Sequence, residues 1–171
     1  MFRLSLVILG FLISSTTFAQ NNNAIEDKLN AALASEIRTT AEKARDRNRK
    51  PLETLNFFQL KDDMRVLELV AGGGWYTKLL APILKENGEY YVAVWADNLK
   101  KGLLSQKGFE HVKTVDGINP SRSGVGRLNT IEPFSLGLTN LDLVVTFRNM
   151  HNFDVAGRNA INQATYDALK S

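Results

Sequence analysis

The stretch Val66-Leu67-Glu68-Leu69-Val70-Ala71-Gly72-Gly73-Gly74-Trp75-Tyr76-Thr77 constrains this chain more than any other. A short apolar run carrying a single acid, Glu68, has almost no polar alternation, which suits a strand buried on both faces of a parallel sheet. The run from Trp75 to Glu86 has the period of an amphipathic helix. Between them, Gly72, Gly73 and Gly74 permit positive φ and let a ligand approach the backbone. The following helix points its free N–H groups at that turn. A doubly wound sheet holds a mononucleotide-like ligand at such a first βα turn. A tight turn alone would explain one glycine, not three. The pattern G-x-x-x-x-G-K-[ST] is absent, which excludes a P-loop. The dinucleotide pattern G-x-G-x-x-G matches at Gly72 and Gly74 but meets Thr77 in place of the third glycine, which disfavours an NAD-type oxidoreductase.

Downstream, strand-like and helix-like stretches alternate. Tyr90 to Trp95 reads as the second strand, Asn98 to Lys107 as a helix, and Val112 to Asp116 as the third strand. Leu141 to Phe147 reads as the fourth strand and Val155 to Leu169 as the last helix. Gly117 to Asn140, rich in Gly, Ser, Asn and Pro, is expected to be a poorly ordered loop. Upstream, Ala24 to about Arg45 predicts one amphipathic helix, with Ile25, Leu29, Leu33, Ile37, Ala41 and Ala44 on its apolar stripe. The basic cluster Arg45 to Lys50, ended by Pro51, reads as a solvated linker that could still face an acidic ligand. Leu52 to Phe58 predicts a short helix. The fold class is α/β, a doubly wound parallel sheet of about four strands with N-terminal helices.

The N-terminus is a separate unit. Met1-Phe2-Arg3 carries one positive charge, Leu4 to Ile13 is nearly all apolar, and Ser14 to Ala19 is a small-residue region. This is the pattern of a secretory signal peptide over residues 1–19, cleaved after Ala19, so a periplasmic or secreted protein is expected. The apolar run is too short for a comfortable span, so no stable membrane insertion is expected after cleavage. The remaining chain divides into an N-terminal helix and linker over 20–50 and an α/β domain over 51–171. With no cysteine, disulfides, thiolate-bound metals and thiol nucleophiles are excluded. A net charge of +3 from 21 basic and 18 acidic residues argues against a nucleic-acid partner. The two histidines, His111 and His151, form no local ligand pair, and no metal site is expected.

Strands one and four of a doubly wound sheet lie side by side where the winding reverses, and ligands bind in that crevice. The glycine turn caps the first strand, and Phe147-Arg148-Asn149-Met150-His151-Asn152 caps the fourth. Arg148 is suited to an anionic substrate, bidentately if that is a carboxylate. Asn149 and Asn152 are suited to orienting it. His151 can exchange a proton near neutral pH, or it is simply exposed beside an Asn152 or Asp154 helix cap.

The order hydrophobic-hydrophobic-acid-hydrophobic followed by glycines resembles motif I of class I methyltransferases that use S-adenosyl-L-methionine (SAM). Val70 stands where that motif usually has its first glycine. Three segments resemble more narrowly a group of predicted, exported bacterial methyltransferases: Asp46-Arg47-Asn48-Arg49-Lys50-Pro51-Leu52-Glu53-Thr54-Leu55, Gly72 to Thr77, and Thr146 to Asn152. The resemblance runs from roughly Arg45 to the C-terminus. It implies SAM as methyl donor and a small-molecule acceptor that the resemblance does not identify. It implies cofactor contacts from Glu68, Gly72, Gly73 and Gly74, from Trp75 or Trp95 stacking on adenine, from Asp97 on the ribose, and from Asp116, with Glu132 as substitute, on the adenine amino group. It implies Arg148, Asn149 and His151 around the acceptor, with His151 as general base. It also implies further strands after the fourth, so the chain is expected to be C-terminally incomplete. A non-catalytic SAM- or nucleoside-binding module of the same fold, or an inactive fragment, is the alternative.

Overall fold

The structure, a computed structural model, describes residues 25–170. The expected signal peptide and the polar lead that follows it lie outside the described residues. In chain order the strands are β1 (Arg65–Leu69), β2 (Glu89–Ala93), β3 (Lys113–Val115), β4 (Ser121–Arg122), β5 (Asn129–Thr130) and β6 (Leu143–Val145). Four of them form one parallel sheet in the order β3-β2-β1-β6. The chain therefore steps outward from β1 through β2 to β3, then returns to the other side of β1. The winding reverses between β1 and β6, where Leu67 pairs with Val144 and Glu68 with Val145.

Period-two alternation gives each face of this sheet its own core. Val66, Tyr90, Val92 and Val145 face one way. They pack on a helix over 25–34 (α1), on α4 (Pro51–Phe57), on α5 (Thr77–Leu84) and on α6 (Ala96–Lys101). Leu67, Leu69, Tyr91 and Ala93 face the other way, onto Phe153 and the Ala160, Ile161, Ala164 and Ala168 stripe of α7 (Val155–Ala168). Helices thus cover both faces, as the apolar strand sequences require.

The single N-terminal helix expected from the sequence is three shorter pieces. Helix α1 ends near Ala34, and α2 (Thr40–Lys43) and α3 (Asp46–Arg49) follow. Two local interactions break it. The buried Arg38 guanidinium donates to the Leu33 carbonyl at 2.9 Å, satisfying an orphan group of the helix end. Thr39 then opens α2 with a capping box, its hydroxyl accepting from the Glu42 N–H while Glu42 accepts from the Thr39 N–H at 2.8 Å. Ala41 and Ala44, expected on the apolar stripe, are exposed. The basic stretch expected to be a solvated linker is largely the helical turn α3. Asp46 holds Arg38 there at 2.5 Å.

The 117–140 segment is also more organised than its composition suggested. Strands β4 and β5 pair as a small antiparallel ladder, and Ile118, Ile131 and Leu136 anchor the segment in the second core. Strand β6 lies at the edge of this sheet, and its approach is covered. Leu141 donates to the Ala168 carbonyl and accepts from the Lys170 N–H, each at 3.0 Å.

The turn between α5 and β2 tests this packing. Gly88 sits where an added Cβ would lie 2.6 Å from the Met64 carbonyl oxygen and 2.7 Å from that of Asp62, and backbone does not yield easily. Gly88→Ala is expected to destabilise the chain by about 1–3 kcal/mol, the usual cost of overpacking, read as a lower urea midpoint with an unchanged slope.

Candidate functional site

The glycine turn is held in place from beneath. Glu68, the one acid of β1, is buried among apolar neighbours. Its carboxylate accepts the Thr77 hydroxyl at 2.7 Å and the Tyr90 hydroxyl. One carboxylate therefore joins the end of β1, the first residue of α5 and the start of β2. Burial pushes the Glu68 carboxyl above its ordinary value, and the two hydroxyl donors hold it back.

Beyond the ends of the strands the backbone turns sharply. Val70 after β1, Val94 and Trp95 after β2, and Arg148 after β6 all have positive φ, between 56° and 63°. Left-handed geometry at non-glycine residues is uncommon and costs energy. It is concentrated here at the carboxyl ends of three adjacent strands. Asn149 fixes two of these turns together, its amide donating to the Val70 and Phe147 carbonyls at 3.1 Å each.

Three clefts run along this edge. The central one, about 270 Å³, lies at the β1–β6 reversal and is lined by Arg49, Val70, Gly72, Gly73, Phe147 and Asn149 among others. Gly72 belongs also to a second cleft of about 560 Å³, with Trp95, Asn98, Ser121, Arg122 and Asn129. On the other side, Arg49 and Phe147 are shared with a third cleft of about 350 Å³ that includes Arg148. Tyr76 stacks on Phe147 with ring centroids 3.4 Å apart and lines both of these clefts.

The three glycines do different work. Gly72 has φ +59° and Gly74 φ +80°, so both need the left-handed freedom of glycine. A Cβ on Gly74 would collide with the Leu103 and Leu99 side chains, so Gly74 serves packing. A Cβ on Gly72 or Gly73 would meet nothing within 4 Å. Gly73 has no positive φ and no neighbour, so the fold itself asks for no glycine there.

The other expected site residues are spread unevenly. Trp75 lines the central cleft, but its indole N–H donates to the Glu42 carbonyl at 3.1 Å. Arg49 and Arg38 lie over its ring, at 4.6 and 5.1 Å from the centroid. Trp95 is the tryptophan with an open flank, 37% exposed, lining the second cleft and stacked on Phe153. Asp97 sits exposed in the first turn of α6 and lines none of the three clefts, whereas the next residue, Asn98, does. Asp116 is exposed just past β3, where an ion pair with Lys100 at 2.5 Å holds its carboxyl below the ordinary value. Glu132 lines a separate depression beside α7. His151 is exposed on the short turn Met150–Asn152 and lines none of the three clefts, and Asn152 is exposed beside it. Asp154, not Asn152, caps α7, accepting from the Gly157 N–H at 2.8 Å.

Sequence reasoning missed the N-terminal wall of the central cleft. Glu42 lines it while accepting from Lys78 at 2.8 Å. Burial works against the ionised Glu42, yet Lys78 and Thr39 hold its carboxyl below the ordinary range. Arg49, half-buried against Trp75 and Tyr76, completes that wall.

No protein-family model matches the chain, and neither does any curated protein. Among solved structures, it is similar to a crystal structure from Nostoc punctiforme PCC 73102 described as a "putative O-methyltransferase", at 16% identity and a TM-score of 0.44. The match covers 92% of this chain, which spans about half, 47%, of the other.

Glu68 supplies a pH test of the site's foundation. Its carboxyl is raised from an ordinary value of 4.5, so just above that pH the folded chain keeps a proton that the unfolded chain has released. Raising the pH from about 4.5 toward the elevated folded value therefore costs the native state stability. Glu68→Gln, which still accepts both hydroxyls, removes this titration. The stability of the Gln variant relative to the parent is expected to rise across that window, measured by urea unfolding at stepped pH. A flat difference would mean that Glu68 ionises at its ordinary value.

Proposed function

We propose that this chain is a SAM-dependent methyltransferase acting on a small-molecule acceptor. The observation that carries the reading is the bare backbone shelf at Gly72 and Gly73, set at the reversal of a doubly wound sheet and joining two clefts. Neither position meets a neighbouring atom where a side chain would stand, and Gly73 is glycine without any demand from the fold. A ligand lying against the backbone explains Gly73 and the open space over Gly72. SAM, when bound, supplies a methyl group activated on a sulfonium.

The residues fit such a molecule in extended form. Trp95 offers an aromatic flank in the second cleft, suited to a purine. Asn98 and the hairpin residues Ser121 and Asn129 offer neutral polar groups beside it. Val70, Gly72 and Gly73 pass the ligand into the central cleft, where Asn149 keeps the β1 and β6 turns in fixed relation. In this reading Glu68 fixes the turn through its Oε2, which takes both hydroxyls, and lines the central cleft beside the ligand. Holding donor and acceptor in one orientation supplies most of the rate in such a transfer. Export through the signal sequence at residues 1–19 belongs to the same proposal.

One observation favours a second reading, a non-catalytic module that binds SAM or a nucleoside. No histidine lines the three clefts, and the carboxylates of Glu42 and Glu68 are engaged by Lys78 and by hydroxyls. Release of S-adenosylhomocysteine across a panel of acceptors separates the two readings, because only an enzyme produces it. His151→Ala is the companion variant. It is expected to spare SAM affinity, and lost turnover on that background would assign His151 as the base.

The shelf itself gives the sharpest test. Gly73→Ala is expected to leave the unfolding midpoint unchanged while weakening SAM and S-adenosylhomocysteine about tenfold or more, because the new methyl occupies the ligand's place against the backbone. Calorimetry reads the affinity, with NADH as the control that is not expected to bind. Tighter binding of NADH than of SAM, or a Gly73→Ala variant with unchanged SAM affinity, would overturn the proposal.

A further inference from the structure

The third cleft holds an unusual charge arrangement. Arg45, Arg49 and Arg148 all line it, together with the neutral polar side chains Asn48, Thr54 and Thr146. No carboxylate lines this cleft. Among the described residues, no acid lies within ion-pair distance of any of the three guanidiniums. The acids of the same segment are committed elsewhere, Asp46 to Arg38 and Glu42 to Lys78.

Arg45 and Arg148 are exposed at the mouth of the cleft, and Arg49 is drawn further in. Arg49 is half-buried and lies over Trp75 and Tyr76 at 4.6 and 5.6 Å from the ring centroids. Burial, and the neighbouring charges of Arg45 and Arg148, destabilise its cationic form, while Tyr76 and the Glu68 carboxylate favour it. Arg148 reaches the cleft from a left-handed backbone position, φ 62°, that the Asn149 clamp holds. Arg45 comes from the N-cap of α3, and the next turn of chain is tied down by the Thr54 hydroxyl on the Arg49 carbonyl at 3.1 Å. Three like charges brought together from two distant segments repel one another. An anion between them relieves that repulsion and takes charge-assisted hydrogen bonds, bidentately from a guanidinium fork.

We propose that this cleft is the acceptor subsite and that it takes a small molecule by a carboxylate or phosphate group held among Arg45, Arg49 and Arg148. The assignment as acceptor subsite rests on the methyltransferase reading, while the anion site itself rests on the arginines. Its position suits that role. Arg45, Arg49, Tyr76 and Phe147 line both this cleft and the central one, so a molecule anchored here lies next to the Gly73 shelf.

The test is calorimetry on the full chain at low salt. Phthalate and inorganic phosphate are the probes, with the neutral diamide of phthalate as control, each with and without S-adenosylhomocysteine. At least one anion is expected to bind, the diamide is not, and binding is expected to persist with S-adenosylhomocysteine present. Preference between the two anions identifies a carboxylate or a phosphorylated acceptor. Arg148→Gln and Arg45→Gln are each expected to weaken the anion about tenfold to a hundredfold, the size of one lost charge-assisted hydrogen bond. Arg148→Gln is expected to leave S-adenosylhomocysteine affinity unchanged. Arg47→Gln, on the same segment but outside the cleft, is expected to change neither. No anion binding, or anion binding indifferent to Arg45 and Arg148, overturns the proposal. So does loss of S-adenosylhomocysteine affinity in Arg148→Gln, which would put that residue in the donor's site. Arginine-dependent anion binding in a chain that never binds S-adenosylhomocysteine would sink the methyltransferase reading and leave the anion site standing.

Discussion

The buried carboxylate of Glu68 is the constraint on which the rest of this edge depends. A charged group in a sheet core is expensive unless its lone pairs are taken. Thr77 and Tyr90 both donate to its Oε2, and in doing so fix three elements at one point: where β1 stops, where α5 starts and how β2 lies beside them. Removing one hydroxyl would leave part of a buried carboxylate unpartnered, a loss larger than the bond itself is worth. The glycine turn spans the interval between Glu68 and Thr77. Its shape is thus set by a hydrogen-bonded network beneath it, and the glycines above are left to meet whatever lies in the clefts.

That foundation carries strain at the strand ends. Val70 and Val94 are β-branched residues in the left-handed region, where glycine would sit more easily. Both strands turn there toward the helices that follow them. The hydrogen bonds from Asn149 to the Val70 and Phe147 carbonyls show how the surrounding structure holds one such turn. The same clamp brings the ends of β1 and β6 together across the reversal, which is where the central cleft opens.

How much of this was legible in the sequence follows from which signals are local. The four parallel strands were readable because apolar runs bounded by turn residues need no partner to be recognised, and the β1–β6 reversal followed from the alternation of strands and helices. The broken N-terminal helix was misread although its signal was present. Thr39-Thr40-Ala41-Glu42 is a capping box, but the apolar period of Ile37, Ala41 and Ala44 runs on through it and hid the break. Arg38 and Asp46 could not be paired from sequence, since Asp46 reads as part of a solvated charge run and Arg38 as a residue of the expected helix. The same applies to Arg49, whose stack on Trp75 is a contact between segments far apart in the chain. At the end of β6 the residue types were noted but their directions were not readable. In a turn without period, nothing local says that Arg148 and Asn149 point into the crevice edge while His151 stands outside it. Ile118, Ile131 and Leu136 escaped for a related reason, being single anchors spaced without rhythm through a loop.

Glu42 shows how the N-terminal segment becomes part of the site. Its carboxylate closes the capping box on Thr39, and the same carboxylate holds Lys78 in the first turn of α5. Its carbonyl accepts the Trp75 indole N–H at the end of the glycine turn. One residue therefore latches α2 to the turn by both backbone and side chain, at two points one helical step apart. A segment held by only one of these would be free to swing. Held by both, it has a fixed direction, and the chain that continues from it delivers Arg45 and Arg49 to the crevice at the next two turns. Asp46 on that continuation is taken by Arg38, which lies behind it, so the acids of the segment serve to hold it down while two of its arginines are left facing the cleft. The separation of charge along these few residues follows from the way the segment is fastened.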